Sequence, residues 1–469
     1  MKKEELRKIP SVDALLGTGE LVKTEEIFGR ETVVRAARTV LEEVREDILA
    51  GAGLPGDKAD ALRLLANRIA ERLESQAEPS LRSCINATGV VIHTGLGRAV
   101  LPGEALEAVS DVLRGYSTLA VDLETGRRGD RDSHLAGLIC RLCGAEAATV
   151  VNNNAAATVL ILNTLARGRE VILSRGQLVE IGGSFRMPDV MATSGAILRE
   201  VGTTNKTHLR DYAEAIGPQT GAILRVHHSN YRILGFHAEP SVEELVALGR
   251  EHGLPVIDDL GSGALVDLRD YGLESEPLVR RSIEAGVDVA CFSGDKLIGG
   301  PQSGIIVGKA DAVARIKKNP LARAFRCGKL TLAAMEATLR LFLAPDRLAE
   351  RHPVYRMLAR KPEDLEKRGR AIVEKLNPEL PPGASLAVED SEAQMGSGSV
   401  PVETIPSKAI ALRLKEGAAG LETSARALRY KKPAIFTRIH KDAILFDLRT
   451  IQPEEDETII ESLRLLFRG

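Results

Sequence analysis

Between Ile85 and about residue 335 the chain repeats a pattern that few folds can satisfy. Short β-rich runs alternate with helical stretches: "AATVVNNN", "REVILSRG", "GAILREVG", "GAILRVHHSN", "LPVIDDLGSG", "VDVACFSGDK" and "SGIIVG". Most of these runs are apolar almost without interruption. A strand with one wet face alternates apolar and polar side chains, whereas a strand covered on both faces does not. The pattern therefore predicts an α/β unit with a largely parallel central sheet under helices.

The flanks have a different texture. A single core rarely grows past about 250–300 residues, and the chain has 469, so more than one domain is expected. Residues 1–80 read as helical: Val33, Ala37, Val40, Val44 and Ile48 recur at helix spacing up to Gly51, and Leu62, Leu65, Ile69 and Leu73 repeat it. Arg35, Arg38, Arg45, Arg63, Arg68 and Arg72 lie on these helices among acids, which by themselves suggest a solvated face. "SQAEPS" reads as a linker into a core of residues 81–338. Residues 339–469 resemble a smaller α+β domain, with "KPAIFTRIHKDAILFDLRT" as a pair of strands and a last helix after Pro453.

Composition narrows the function classes. Net charge is −2, so no global basic coat for nucleic acid exists, although a local patch is compatible with it. Trp is absent and aromatics make up 3%, which disfavours base-stacking platforms. Five cysteines in a chain this long fit a reducing compartment. Cys140 and Cys143 form a CxxC with no second pair, inside what reads as an amphipathic helix ending at Gly144, so they are expected to pack as small apolar residues. The N-terminus lacks the apolar run of a signal peptide, and no segment approaches the ~18 apolar residues of a membrane span. The expectation is a soluble cytoplasmic protein.

Two phosphate motifs are excluded. "CGKL" at 327–330 lacks the upstream glycine and the hydroxyl of a P-loop, and "GLGRAV" at 95–100 lacks the last position of a dinucleotide fingerprint. His227 and His228 are adjacent, so on a strand they point to opposite faces and do not share a metal. One of them is expected to be packed or to line a site.

Four features point to chemistry. "TVVNNNAAATVLIL" is a strand, a polar turn and a helix, with Asn152, Asn153 and Asn154 at the junction. One Asn suffices for an N-cap; three leave open an anion held at the helix N-terminus. "LPVIDDLGSGAL" ends an apolar strand in Asp258 and Asp259, which face opposite ways. Such a carboxylate can pair with a protonated ring nitrogen, bind a metal or shape a turn. Lys296 follows the apolar run of "VDVACFSGDKLIGG", so it and Asp259 both stand at carboxyl ends of strands, where open α/β sheets bind ligands. A phosphate cradle, an acid and a desolvated lysine in that order suggest pyridoxal phosphate (PLP). Arg98, Arg323 and Arg326 lack an evident structural reason and suit bidentate anion binding, with surface ion pairing as the plain alternative. Gly299 and Gly300 are small enough to leave room for a bulky substrate beside Lys296.

With those blocks in hand, the chain resembles the bacterial selenocysteine synthases, the L-seryl-tRNA(Sec) selenium transferases among fold-type I PLP enzymes. "LRKIPSVDALL", "NATGVVIHTGLGRA", "ETGRRGDRDSHLAGLICRLCGAEAATVVNNNAAA", "VGTTNKTHLRDY", "VHHSNYRILGF", "DLGSG", "SGDKLIGGPQSGIIVGK", "NPLARAFRCGKLTLAAMEATL" and "GSGSVPVETIPS" carry the likeness in order along the whole chain. Departures from the family pattern stand at Gly95, His228, Cys327 and Gly328. The resemblance implies that Lys296 carries PLP and that Asp259 partners the ring nitrogen. It implies that Asn153, Asn154 and Ala155, with Ser293, bind the cofactor phosphate. It also implies that Arg98, Arg323 and Arg326 hold the phosphate end of selenophosphate. The N-terminal helical domain then resembles the family's tRNA-binding module, and the family assembles as a homo-oligomer, a decameric ring of dimers.

The implied reaction is β-elimination of water from tRNA-borne serine, through an aminoacrylyl-tRNA, followed by selenium addition. One alternative is a PLP lyase acting on a free small amino acid or amino sugar acid, which needs no helical N-terminal domain. A second is a catalytically dead tRNA-binding scaffold, which needs no cofactor.

Overall fold

The computed structural model describes residues 2–182, 185–228, 230–273, 276–396, 399–415 and 417–468. The chain divides into two compact units, Met1–Ser83 and Cys84–Gly469.

The first unit is helical: α1 (Lys2–Lys8), α2 (Val12–Leu16), α3 (Gly19–Phe28), α4 (Arg30–Ala50) and α5 (Lys58–Ala77). α4 stops where Gly51 takes a left-handed φ of 109°, a conformation that glycine adopts without a Cβ penalty. α5 starts in a capping box in which Asp57 accepts from the Asp60 N–H and Asp60 accepts from the Asp57 N–H. Val33, Ala37, Val40, Val44 and Ile48 pack against Leu65, Ile69 and Leu73, the stripe expected from their spacing. Outside that core, Glu43 of α4 pairs with Arg72 at 2.6 Å and Arg68 at 3.1 Å. Arg35 and Arg38 stay exposed.

The second unit begins with β1 (Cys84–Asn86), then α6 (Gly103–Leu113), α7 (Ser133–Cys143), β2 (Ala147–Val151) and α8 (Asn154–Leu165). β3 (Glu170–Ser174), the short hairpin β4 (Glu180–Ile181) and β5 (Phe185–Arg186), β6 (Ile197–Val201), β7 (Thr220–Val226), β8 (Val256–Gly261), β9 (Val289–Ser293) and β10 (Gly304–Gly308) follow. Seven of these form one sheet in the order β2-β10-β9-β8-β7-β3-β6. All its pairings are parallel except those of β10, which is antiparallel to β2 and β9. β9 and β10 are buried at every residue, which explains their uninterrupted apolar runs. Alternate side chains feed two cores: Ile223, Val256, Ala290 and Phe292 on one face, and Leu224, Ile257, Val289 and Cys291 with α8 on the other.

A second sheet, antiparallel, has the order β11-β12-β15-β14, built from β11 (Ser385–Gly396), β12 (Ser399–Arg413), β14 (Arg438–His440) and β15 (Ala443–Asp447). The stretch read as two strands holds three: β13 (Ala434–Phe436) leaves the second sheet and pairs in parallel with β1. Only residue 437 separates β13 from β14, so neighbouring residues of one stretch serve two partners. Among the described residues no helix is long and apolar enough to cross a membrane.

Candidate active site

Four strand ends converge. β2 runs out at Val151 into Asn152 and Asn153, and α8 opens at Asn154. Asp259 lies near the carboxyl end of β8, and Lys296 follows the end of β9. Gly304, at the start of β10, pairs with both Val151 and Ser293. These ends open on a cavity of about 550 Å³ lined by Lys296, Asp259, Asn153, Asn154, Ala155, Ser293 and Arg98. That volume lies in the ordinary range for cofactor and substrate sites.

Asn153 caps α8: its side chain accepts from the Ala156 N–H at 2.8 Å. The N–H groups of Asn154 and Ala155, at the first two helical positions, keep the positive end of the helix dipole available. Asn154 turns its side chain elsewhere, donating from Nδ2 to Asp259 Oδ1 at 2.8 Å. A carboxylate beside it accepts only, so Nδ2 is the atom that faces Asp259. Asn154 Oδ1 is left buried with no partner.

Asp259 is 3% exposed and accepts from Asn154, from Thr158 Oγ1 at 2.9 Å and from the Gly261 N–H at 3.1 Å. Burial raises its carboxyl pKa, and the Asn154 and Thr158 bonds oppose that rise. Asp258 faces the other way, bound to Arg225 at 3.0 Å and Ser282 at 2.6 Å. It is engaged in structure, and the two acids face opposite ways as strand alternation requires.

Lys296 is 6% exposed. Burial, joined by the Arg98 cation, holds its amine below the ordinary lysine range, and Asp259 opposes this. Arg98 donates to Asp295 Oδ2 at 2.7 Å. Its φ of 67° is in the left-handed region, uncommon outside glycine and a kind of strain found at functional sites. Arg323 and Arg326 do not line the cavity; both are exposed. They are nevertheless tied to the asparagine turn, since the Asn152 N–H donates to the Phe325 carbonyl at 2.8 Å and Val151 bridges Arg326. Arg131, Arg323 and Arg128 crowd Arg326 and lower its pKa.

His227 lines the cavity and reaches Glu276 at 3.2 Å, while His228 contacts the Gly176 carbonyl at 2.9 Å. Gly299 and Gly300 need a different account from the one their sequence suggested. A Cβ at Gly299 would come within 2.1 Å of the His352 ring, and one at Gly300 within 2.9 Å of Met335. Their smallness serves internal packing and leaves no space for substrate.

Several residues at the site escaped the sequence. A Cβ on Gly304 would meet the Asn153 carbonyl oxygen at 2.2 Å, so only glycine lets the asparagine turn approach β10. Thr158 follows Asn154 by one helical turn and shares its face, a periodicity signal that could have found it. Asp295 adjoins Lys296, but its pairing with Arg98 spans 197 residues and leaves no local trace. Cys291, under Asp259, reads as one more apolar strand residue.

Comparison with known proteins shows what the chain is related to. A family model described as L-seryl-tRNA selenium transferase matches residues 84–452, and one described as selenocysteine synthase N terminal matches residues 6–45. The L-seryl-tRNA(Sec) selenium transferase of Alkaliphilus metalliredigens is 46% identical over 465 residues, covering 99% of this chain and 99% of that protein. That of Moorella thermoacetica is 49% identical over 465 residues, covering 99% and 97%. The solved structure of D-glucosaminate-6-phosphate ammonia-lyase covers 85% of this chain and 98% of its own with a TM-score of 0.57 at 19% identity, a likeness of fold alone and consistent with fold-type I. The length and identity of these matches leave one conclusion: the chain belongs to the L-seryl-tRNA selenium transferase family.

Proposed function

We propose that the chain converts L-seryl-tRNA(Sec) to L-selenocysteinyl-tRNA(Sec), with selenophosphate as selenium donor and pyridoxal 5'-phosphate as cofactor. Family membership supports the reaction. The observation that carries the cofactor assignment is Lys296, buried at the end of β9 on the same cavity as the buried Asp259.

The side chains fit that cofactor. Lys296 offers an amine for the aldehyde and Asp259 a carboxylate for the ring nitrogen. The N–H groups of Asn154 and Ala155, with the Ser293 hydroxyl and the Asn153 cap beside them, offer a cradle for the phosphate. The orphaned Asn154 Oδ1 is a buried acceptor on the cavity wall that a bound donor would satisfy. When bound, pyridoxal phosphate supplies an electrophilic aldehyde and a ring that withdraws electrons from the substrate's α-carbon.

In this reading the residues divide the work. Burial favours neutral Lys296, so its Nζ can both anchor the cofactor and take the serine α-proton. Asp259 keeps a proton on the ring nitrogen by its charge. Arg98, charge-balanced by Asp295, keeps guanidinium N–H groups for an incoming anion. Arg323 and Arg326, exposed outside the cavity, add positive charge beside the asparagine turn, and the family resemblance gives them, with Arg98, the phosphate end of the donor. Overall, the serine hydroxyl leaves as water, selenium takes its place on the β-carbon, and phosphate departs.

Residues 1–83 form the tRNA-binding unit in this account, contacting phosphates through local arginines. The assembly is a homo-oligomer, a decamer by family resemblance. Side chains such as Tyr116 and Leu123, 109% and 80% exposed, are suited to burial against other copies.

The test is to incubate the purified protein with seryl-tRNA(Sec) and selenophosphate and to analyse the aminoacyl product. The expected product is selenocysteinyl-tRNA. It is lost in Lys296→Ala, and in a chain lacking residues 1–83 that still binds its cofactor. Unchanged seryl-tRNA with the intact chain, or full activity in Lys296→Ala, contradicts the proposal.

A further inference from the structure

Thr158 is 0% exposed on α8, and its single hydroxyl proton has two oxygen acceptors within reach, with the Cys291 sulfur at 3.8 Å. The Asn154 carbonyl, one turn back, is at 3.0 Å, and Asp259 Oδ2 is at 2.9 Å. A buried helical threonine ordinarily gives its proton to the carbonyl four residues earlier. Thr338 does so, donating to the Ala334 carbonyl at 2.8 Å. At Thr158 the competing acceptor is a carboxylate, and bonds to a charged acceptor are about twice as strong as neutral ones.

The surroundings sharpen the point. Away from the cavity, Asp259 is flanked by Asn154 and Thr158 of α8, the Gly261 N–H of its own strand and Cys291 of β9. The Lys296 cation also lowers its pKa. Burial pushes the Cys291 thiol pKa well above the ordinary value, and the neutral S–H is a weak donor beside the carboxylate. Three stronger N–H and O–H donors hold the ionised carboxylate against its desolvation, and two of them come from one face of one helix.

We propose that Thr158 is a positioning residue for the cofactor, its hydroxyl together with the Asn154 amide fixing the orientation and ionisation of Asp259. This rests on the reading of Asp259 as the partner of the cofactor's ring nitrogen. An ionised, oriented Asp259 favours a ring nitrogen that carries a proton. Without the Thr158 bond the carboxyl takes up a proton more readily, and the pairing weakens.

The test compares Thr158→Val, which keeps the shape and removes the hydroxyl, with Thr158→Ser, which restores it. Thr338→Val controls for loss of a buried helical hydroxyl. Each apoprotein is titrated with pyridoxal phosphate by absorbance, and the carboxyl of Asp259 is followed by infrared difference spectra against Asp259→Asn. Thr158→Val is expected to weaken cofactor binding about tenfold or more, the worth of a hydrogen bond to a charged group. It also raises the pH at which the Asp259 carboxyl ionises. Thr158→Ser recovers both properties, and Thr338→Val changes neither. In the Asp259→Asn background, Thr158→Val adds no further loss. Wild-type affinity and carboxyl titration in Thr158→Val, or an undiminished loss in the Asp259→Asn background, overturn the proposal. If the wild type itself binds no pyridoxal phosphate, the cofactor reading fails as well, so the two failures are told apart.

Discussion

At the residue scale, what was legible in the sequence is what a strand's end announces. Lys296, Asp259 and the asparagine turn stand where apolar runs stop, and all three meet at the cavity. What was not legible is what those residues touch. The Thr158 and Asn154 bonds to Asp259 cross more than 100 residues, and the Arg98–Asp295 pair crosses 197. Gly304 carries the sharpest consequence of such contacts. With a Cβ 2.2 Å from the Asn153 carbonyl oxygen and 2.9 Å from the Asn154 nitrogen, Gly304→Ala must push the asparagine turn away from β10. We expect cofactor affinity to fall at least about tenfold while the chain stays folded, for a strain of roughly 1–3 kcal/mol. Equilibrium dialysis with pyridoxal phosphate and circular dichroism check the two halves; unchanged affinity would remove Gly304 from the account.

At the scale of elements, periodicity announced each central strand but not its neighbours. β1 pairs with β13 from the far end of the chain, and β10 enters antiparallel between two strands earlier in sequence, orders that no local pattern encodes. The turn after Lys296 shows how distant elements set local geometry. His352 Nε2 contacts the Ile298 carbonyl at 2.9 Å, and the Tyr355 hydroxyl donates to the Leu297 carbonyl at 2.9 Å. The imidazole fills the space that Gly299 leaves. Burial lowers the His352 pKa to about 4 from 6.5, so it is neutral in the folded state. The unfolded chain takes up that proton first. Stability is therefore unaffected by this group above about pH 6.5 and is lost as pH falls from there toward about 4, by about 3 kcal/mol in total. Urea unfolding across that range should show a correspondingly flatter pH dependence in His352→Gln. An identical slope in both proteins would mean that the imidazole is not buried in its neutral form.

At the scale of the whole molecule, residues 1–83 and 84–469 form two units with separate cores, whereas the hydrophobic periods of the sequence suggested three domains, with boundaries at 80 and 338. Arg35, Arg38 and their neighbours read as a solvated face, and a net charge of −2 is compatible with a local basic contact there. The function followed from ordered blocks along the whole chain, which no single motif supplied. Everything proposed for the reaction depends on one covalent anchor inside the cavity. Borohydride reduction of the cofactor-loaded protein, followed by proteolysis and mass spectrometry, locates that anchor. The account predicts that the pyridoxyl mark falls on the peptide containing Lys296 and on no other lysine. A mark elsewhere, or none on a protein that makes selenocysteinyl-tRNA, would contradict it.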